Sequence, residues 1–334
     1  MGKYIGLDLG GTNIKGAIVD SELGIVFGVK SISTLAHEGH DAVIQRMADF
    51  ALTMISESGI AREEIKGIGI GLPGAINSHT GISVFMTNLP DHWINVPVSY
   101  LMQQKTGLPT FLLNDVNAIT WGELRFGAAR GCSSAVCFAL GTGIGGGIVI
   151  DGNLVLGRTG VAGELGHMIV EPNGDRCNCG GYGCLETYAS GPAIRSAALK
   201  AVAHGGTTIL GSMVDFDLNR IDPATVYEAA KQGDAVALQI FKRAGYYLGI
   251  AASNVIMALE PDRVIITGGV AAAGSLLFDP IRETVRERVH VTPLDGIEIL
   301  AGELGDDAGV IGNSMWLKNA FLIRQAWALK RIKS

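Results

Sequence analysis

The sequence predicts an α/β protein built from two similar lobes with mixed sheets and a central cleft. It has 334 residues, 48% apolar and 17% charged, which is enough for two domains that each bury a core. Strand-like and helix-like patterns alternate along the chain. A segment near the start also recurs in the second half. Length, alternation and recurrence together indicate a duplicated fold.

The recurring segment is a predicted β-hairpin. Residues 4–24 align without gaps with residues 135–155, and both copies have the pattern of a strand, a glycine-rich turn and a second strand. The identical pairs are Leu9/Leu140, Gly10/Gly141, Gly16/Gly147, Asp20/Asp151 and Leu23/Leu154. Because the two halves begin alike, we expect each lobe to open with the same hairpin.

The other elements follow from apolar spacing and from cap residues. Apolar side chains at helical spacing predict helices, apolar runs predict buried strands, and Asp222 before Pro223 marks a helix start. In chain order they are helix 41–60, strand 65–72, strand 109–113, helix 115–126, helix 222–232, helix 234–259, strand 263–267 and helix 307–331. We expect one lobe to span residues 1–117, joined by helix 307–331, and the other to span residues 118–306.

Composition excludes several classes of protein. The net charge of −6 argues against a general nucleic-acid or anionic-membrane binder, so we expect neither partner. Residues 131–150 carry no charge, but six glycines break them into strand, turn and strand, so they do not predict a membrane span. The start of the sequence has a strand pattern and no signal-peptide pattern, which predicts a cytoplasmic protein. Glycine, at 47 residues, is about twice as frequent as usual, which indicates turns and close backbone approaches.

The glycine-rich turns of the two hairpins are candidate phosphate sites. Residues 141–146 match the dinucleotide fingerprint G-x-G-x-x-G, but a strand pattern follows where that fingerprint needs a helix, so we reject a Rossmann site. Bare backbone N–H groups in such turns can bind phosphate oxygens, and Thr12 and Thr142 add hydroxyl groups. Asp8 could hold Mg²⁺ and Lys15 supplies positive charge near the first turn. The alternatives are plain hairpin turns and a turn-capping role for Asp8.

A histidine and three cysteines form a candidate metal site. His167, Cys177, Cys179 and Cys184 lie within eighteen residues, in a segment rich in glycine and asparagine. One nitrogen and three sulfurs are a tetrahedral Zn²⁺ set of the closed, structural kind. Unligated thiols are the alternative. Cys132 and Cys137 lie in or beside an apolar strand and are interpreted as core thiols.

A predicted strand end precedes a helix start at Asn114 and Asp115. Such residues commonly cap helices, and that is one interpretation of this pair. The other is that Asp115, at the end of a strand that opens into the cleft, acts as a general base.

Taken together, these residues resemble the ROK family of sugar kinases over nearly the whole chain. The segments that carry the resemblance are residues 8–15, 72–74, 87–90, 114–118, 140–147, 164–167, 177–186 and 267–269. The resemblance implies the actin-like ATPase fold, a duplicated ribonuclease-H-like architecture that binds ATP and sugar between two lobes. The pattern is most similar to the glucokinase branch, so we expect ATP-dependent phosphorylation of the 6-hydroxyl of glucose.

The resemblance also implies a role for each motif. Asp115 would be the catalytic base. The sugar-binding positions would be Gly74, Asn88, Asn114, Asp115, Glu164, His167 and Glu186. The nucleotide positions would be Asp8, Gly10, Gly11, Thr12, Lys15, Thr142, Gly143, Gly268 and Gly269, with Mg²⁺ as cofactor. Structural Zn²⁺ on His167, Cys177, Cys179 and Cys184 would hold the sugar-binding loop, and His167 would offer its second ring nitrogen to the sugar.

Three alternatives remain open. Residues Asp91, His92 and Trp93 modify a stretch that borders the sugar in this family, so allose, mannose, N-acetylglucosamine and N-acetylmannosamine are alternative substrates. A sugar-responsive regulator of the same family is another, although its helix-turn-helix module would need room ahead of Asp8. A non-catalytic nucleotide switch is the third, and it would have no use for the metal-binding segment. The resemblance further implies a homodimer or homotetramer.

Overall fold

The computed structural model describes residues 2–20, 22, 26–86 and 89–317. The chain folds into two compact units. The first comprises the described residues of Met1–Gly131, Leu154–Ala162 and Glu303–Ser334, and the second comprises Cys132–Asn153 and Gly163–Gly302.

The first unit is a five-stranded sheet with helices and a small separate hairpin. Its elements are β1 (Lys3–Leu9), β2 (Asn13–Asp20), β3 (Val26–Ser33), α1 (His40–Ser58), β4 (Ile65–Leu72), β5 (Ala75–Asn77), β6 (Ile82–Phe85), α2 (Val98–Thr106), β7 (Thr110–Asn114) and α3 (Asp115–Phe126), and residues 308–317 are also helical. The sheet order is β3-β2-β1-β4-β7, whereas β5 and β6 pair with each other. Its core includes Ile5, Met47, Ile68 and Leu112.

The second unit contains a five-stranded sheet and the longest helix described. Its elements are β8 (Ala135–Leu140), β9 (Ile144–Ile150), β10 (Asn153–Leu154), α4 (Glu186–Ala189), α5 (Gly191–Ala203), α6 (Leu210–Met213), α7 (Pro223–Lys231), α8 (Ala235–Leu259), β11 (Arg263–Thr267), α9 (Ser275–Arg288) and β12 (Glu298–Ala301). The sheet order is β10-β9-β8-β11-β12. Phe138, Leu248, Ile266 and Ile281 lie in its core.

The two sheets repeat one topology. In each sheet an antiparallel hairpin comes first, and parallel strands then extend the side of its first strand: β4 and β7 beside β1, and β11 and β12 beside β8. The predicted α/β duplication with mixed sheets is confirmed. The repeat contains one difference that a gapless alignment hides: Leu9 pairs with Ile14 but Leu140 pairs with Ile144, so the second turn is one residue shorter.

Polar caps mark the helix starts that the sequence predicted. The side chains of Asn114, Asp222 and Asp234 accept backbone N–H groups at the starts of α3, α7 and α8. The predicted strands 65–72 and 263–267 and helix 115–126 have the observed bounds. Of the predicted helix 307–331, residues 308–317 are helical and the remainder lies outside the described residues.

The first unit extends beyond the predicted boundary at residue 117. It continues to Gly131 because α3 packs closely on the helical residues 308–317: a Cβ on Gly312 would collide with the carbonyl oxygen of Ala118. It also includes Leu154–Ala162, where Gly160 packs against the carbonyl oxygen of Ile76. By this division residues 118–131, 154–162 and 303–306, which the sequence predicts in the other lobe, belong to the first unit. In the described part of the chain, no helix has the length and apolar character of a membrane span.

Candidate active site

The end of β7 and the start of α3 bring three predicted residues together. Asn114 caps α3 because its Oδ1 accepts the N–H groups of Val116 at 3.0 Å and Asn117 at 3.2 Å. Its Nδ2 donates to the carbonyl oxygen of Gly74 at 3.2 Å. Asp115, the first residue of the helix, is half-buried. Asn114 is the N-cap residue of α3, and Oδ1 of Asp115 also accepts the Val116 N–H at 2.9 Å.

Gly74 needs the backbone freedom of glycine at this place. Its φ is 89°, a left-handed value, and a Cβ would collide with the carbonyl oxygen of Phe85. The turn therefore holds the Gly74 carbonyl group against Asn114. Asn88, the remaining predicted sugar residue of the first unit, lies outside the described residues.

The first glycine turn, Gly10 to Thr12, is exposed. Its N–H and C=O groups are ordered by the surrounding chain: Gly10 N–H donates to the carbonyl oxygen of Asn13 at 2.9 Å, and Thr34 N–H donates to that of Thr12 at 2.8 Å. Such a turn can present backbone donors to an anion.

Asp8 lies in β1, one residue before the end of the strand. Burial raises the pKa of its carboxyl group from 3.8 to about 6, although Lys15, its partner across the hairpin, lowers it in part. The carboxylate packs on the start of the helical residues 308–317, where a Cβ on Gly309 would lie 3.0 Å from it.

Lys15, which the sequence predicts to supply positive charge near the first turn, contacts an acidic residue. Its Nζ donates to the carbonyl oxygen of Asp306 at 3.3 Å and lies 3.6 Å from the Asp306 carboxylate. The ammonium group is thus placed beside the segment that leads into the helical residues 308–317.

The second glycine turn lies beside two other predicted residues. Gly141 N–H donates to the carbonyl oxygen of Gly143 at 2.9 Å. A Cβ on Gly143 would lie 2.9 Å from Oε2 of Glu186, and a Cβ on Gly268 would collide with the backbone of Leu140. Gly268 follows β11 with a φ of 86°, and Gly269 begins the short helical turn after it. The structure therefore gathers Gly141, Gly143, Gly268 and Glu186 in the second unit.

The histidine and three cysteines form a compact donor set. The ligand atoms of His167, Cys177, Cys179 and Cys184 all lie within 4.8 Å of one another. Cys177 Sγ is 3.7 Å from Nδ1 of His167, and Cys179 Sγ is 3.7 Å from Cys184 Sγ. A tetrahedral Zn²⁺ site with its usual bond lengths separates its donor atoms by about 3.5–3.8 Å. The residues fit structural zinc.

The surroundings alter the thiols in different directions. Burial, followed by a hydrogen bond to Glu186, raises the pKa of Cys177, and burial also raises that of Cys184. The exposed Cys179 accepts the Gly181 N–H at 3.4 Å, which lowers its pKa. Backbone N–H groups that point at sulfur favour the thiolate form, which is the metal ligand.

The same cluster orients the predicted sugar residues of the second unit. His167 directs Nδ1 toward Cys177, and its Nε2 lies 3.9 Å from Oε2 of Glu164. Glu186 Oε1 lies 3.0 Å from Cys177 Sγ and 3.7 Å from His167 Nδ1. The segment that carries the histidine and three cysteines therefore places Glu164, His167 and Glu186 next to each other.

The sequence did not predict three residues that support these elements from within the fold. Thr34 and Arg46 support the first glycine turn, and Glu123 is a buried carboxylate in α3. No local pattern marks them, because their partners are distant in sequence. A surface groove of about 470 Å³ between α1 and Ile32 of β3 is lined by none of the predicted site residues.

Comparison with known proteins agrees with this set of motifs. A family model described as the ROK family matches residues 4–320. The chain belongs to the ROK family. This confirms the resemblance on which the sequence-based expectations rest.

Relatives of this ROK protein match it over most of their length. The glucokinase of Thermotoga maritima is 40% identical over 316 residues, which cover 95% of this chain and 97% of that protein. The xylose repressor of Caldicellulosiruptor bescii is 31% identical over 312 residues, 93% of this chain and 77% of the repressor. The crystal structure of a ROK family glucokinase from Streptomyces griseus in complex with glucose and AMPPNP matches with a TM-score of 0.77 and 34% identity, covering 94% of this chain and 98% of that one. The predicted actin-like, ribonuclease-H-like fold is confirmed.

Proposed function

We propose that this ROK protein is an ATP-dependent hexose kinase that phosphorylates the 6-hydroxyl group of glucose. The observation that carries the proposal is the half-buried Asp115 carboxylate at the start of α3, next to the Asn114–Gly74 hydrogen bond. It occurs in a chain that is 40% identical to a glucokinase over 95% of its length.

In the proposed reaction Asp115 is the general base. Its carboxylate accepts the proton of the 6-hydroxyl group while O6 attacks the γ-phosphorus of ATP in line. The O6–P bond forms as the bond from phosphorus to the β,γ-bridging oxygen breaks. ADP leaves, the sugar carries the phosphoryl group, and the proton remains on Asp115.

In this proposal the glycine turns bind the nucleotide and Asp8 binds its metal ion. Gly10, Gly11 and Thr12, with Thr142 and Gly143, donate to phosphate oxygens, and Lys15 adds positive charge. Gly268 and Gly269 face the adenosine. Bound Mg²⁺ supplies charge that neutralises the phosphates, and Asp8 would hold the ion or its waters. Since its pKa is about 6, Asp8 is mostly ionised at neutral pH, as a ligand must be.

Polar side chains orient the sugar hydroxyl groups. The residues proposed for this role, on the family resemblance, are Gly74, Asn88, Asn114, Glu164, His167 and Glu186. Zinc bound by His167, Cys177, Cys179 and Cys184 would hold the loop and take no part in the chemistry. The 3.7 Å separation of Nδ1 from Cys177 supports this role, since it leaves Nε2 of His167 for the sugar. We also propose a cytoplasmic homodimer or homotetramer, on the family resemblance alone.

A coupled ADP-release assay tests the proposal. Glucose, mannose, allose, N-acetylglucosamine and N-acetylmannosamine should be compared, and we expect glucose to have the highest kcat/KM. Asp115→Asn should lower kcat by about 10²–10⁴-fold and leave the Kd of ATP unchanged, because it removes the base and keeps the shape of the side chain. Ordinary turnover by this variant would overturn the assignment of Asp115.

One observation favours a second candidate, a sugar-responsive regulator: the 31% identity to a xylose repressor. The same assay separates the two functions. Binding of a sugar in calorimetry with no ADP release from any hexose would favour the regulator and overturn the kinase.

A further inference from the structure

One buried threonine holds the first glycine turn from behind. Thr34 follows β3 and is 0% exposed. Its Oγ1 donates to the carbonyl oxygen of Gly10 at 2.7 Å, and its N–H donates to that of Thr12 at 2.8 Å. A single residue therefore binds the carbonyl groups at both ends of the turn.

The opposite groups of the turn are left for a ligand. Within the described residues, no hydrogen bond runs from the N–H groups of Gly11 or Thr12 to the rest of the chain, and both residues are exposed. Thr34 thus engages two of the three carbonyl groups of the turn, those of Gly10 and Thr12, and leaves the N–H groups of Gly11 and Thr12 for a ligand.

Arg46 of α1 in turn holds Thr34. Its Nη1 donates to the carbonyl oxygen of Thr34 at 2.7 Å, and its Nη2 pairs with Glu38. The guanidinium group is planar and carries several donors, so it can make both contacts at once. A continuous series of hydrogen bonds thus runs from α1 through Thr34 to the turn.

We infer that Thr34 is a positioning residue for the phosphate groups of ATP and that Arg46 acts through it. This inference rests on the proposed function. A glycine pair is a segment whose peptide planes rotate easily, and rotation of the Gly10–Gly11 peptide would direct a carbonyl oxygen at the phosphate. The Thr34 hydroxyl opposes that rotation. It therefore keeps the Gly11 N–H, which belongs to the same peptide plane, oriented before the nucleotide arrives, when preorganised donors are most effective.

The matched pair Thr34→Val and Thr34→Ser tests the inference. Valine has nearly the same shape but no donor, so kcat/KM for ATP and the affinity for ATP in calorimetry should both fall about tenfold. Serine restores the hydroxyl group and should return both values to within about twofold of the wild type. The Kd of glucose, measured without nucleotide, should not change in either variant.

Thr110→Val is the control for loss of a buried threonine hydroxyl. Thr110 is 3% exposed, and its Oγ1 donates to the carbonyl oxygen of Leu108 at 3.1 Å in the same unit. We expect it to lower the Tm without changing the affinity for ATP. If Thr34→Val behaves like this control, the role of Thr34 is only structural and the inference is overturned.

The variant Arg46→Met provides a second test. It removes the guanidinium group and keeps an unbranched apolar side chain. It should weaken ATP binding in the same direction as Thr34→Val, and the double variant should be little worse than Thr34→Val alone, because both act through one turn. Full additivity would overturn the role of Arg46. An inactive wild type would overturn the proposed function, whereas an active wild type with unchanged ATP affinity in Thr34→Val would overturn only this inference.

Discussion

At the scale of single residues, the folded structure disfavours the charged form of the Asp8 carboxyl group. Burial raises the pKa of its carboxyl group to about 6, so the folded protein binds this proton more tightly than the unfolded chain does. The free energy of unfolding therefore decreases as the pH rises from about 4 to about 6, and the loss persists above that range. The proposed Mg²⁺ role requires the charged form, so stability and activity make opposite demands on this residue.

The variant Asp8→Asn should show the effect of this carboxylate on stability separately from its effect on activity. Because the amide cannot ionise, we expect the free energy of unfolding at pH 7 to rise by roughly 1–3 kcal/mol, with no gain at pH 4. Hexose phosphorylation should fall sharply, since the carboxylate is gone. Urea unfolding at both pH values and the ADP-release assay measure these effects.

The control for this change is Asp49→Asn, an exposed aspartate of α1 that accepts a hydrogen bond from Gln45. It removes the same charge, and we expect little change in stability or turnover.

In the wild type, kcat/KM for ATP should decrease as the pH falls through about 6, because Asp8 becomes protonated. An Asp8→Asn variant less stable than wild type at pH 7 would contradict the assignment of its pKa.

At the scale of elements, the segment from Gly163 to Leu185, which carries the proposed zinc ligands, is held by turns and isolated bridges rather than by long strands. Isolated bridges join Ile169 to Cys184 and Arg176 to Tyr182, and the Tyr188 hydroxyl accepts the N–H of Asp175 at 2.8 Å. Because these contacts are local turns and short bridges, a metal cross-link would further restrict the side chains of the segment. Bound zinc would supply that link between the residues around Cys177 and those around His167.

Cys179→Ser should therefore weaken zinc and sugar binding together. Cys179 is the exposed member of the donor set, so the change disturbs little packing. We expect zinc content to fall below one per chain and the KM for glucose to rise, with the KM for ATP nearly unchanged. Metal analysis and steady-state kinetics measure the two effects.

Cys132→Ser is the matched control, because Cys132 lies outside the donor set. It should keep both zinc and glucose affinity. One zinc per chain in Cys179→Ser would show that the ligand set is wrong.

The elements also show where local pattern is sufficient. Helix 115–126 and strand 263–267 were predicted with their observed bounds because apolar spacing and cap residues act within a few positions. The shorter turn of the second hairpin was not predicted. Ile144 pairs with Leu140, whereas the gapless alignment places Ile144 opposite Asn13, which is the residue before Ile14, the partner of Leu9. Pairing between strands decides a turn's length, and the composition of the turn does not reveal it.

At the scale of the whole molecule, Glu123 ties together two distant parts of the chain. It is 0% exposed, and its carboxylate accepts the N–H groups of Ala128 at 2.8 Å, Glu303 at 3.1 Å and Leu304 at 3.0 Å. Ala128 precedes the point where the chain leaves the first unit, and Glu303 is where it returns. The Glu123 side chain thus binds the chain both before it leaves the first unit and where it finally returns to it.

Glu123→Gln should destabilise the first unit by about 2–3 kcal/mol. The amide keeps one acceptor oxygen and directs an NH₂ group at a backbone N–H, which leaves buried donors unsatisfied. Glu57→Gln, a change in an exposed pair with Lys30, should cost less than about 1 kcal/mol. Equal midpoints of urea unfolding for the two variants would contradict the anchoring role.

Patterns within short stretches of sequence are enough to predict the duplicated α/β fold, the cluster of one histidine and three cysteines, and the position of Asp115 at a helix start. These depend on periodicity, caps and short motifs, which are local. The folded chain is needed to see that Thr34 supports the first glycine turn, that Lys15 contacts Asp306 and that burial raises the pKa of Asp8. Each of these depends on groups that are distant in sequence and meet only when the chain has folded.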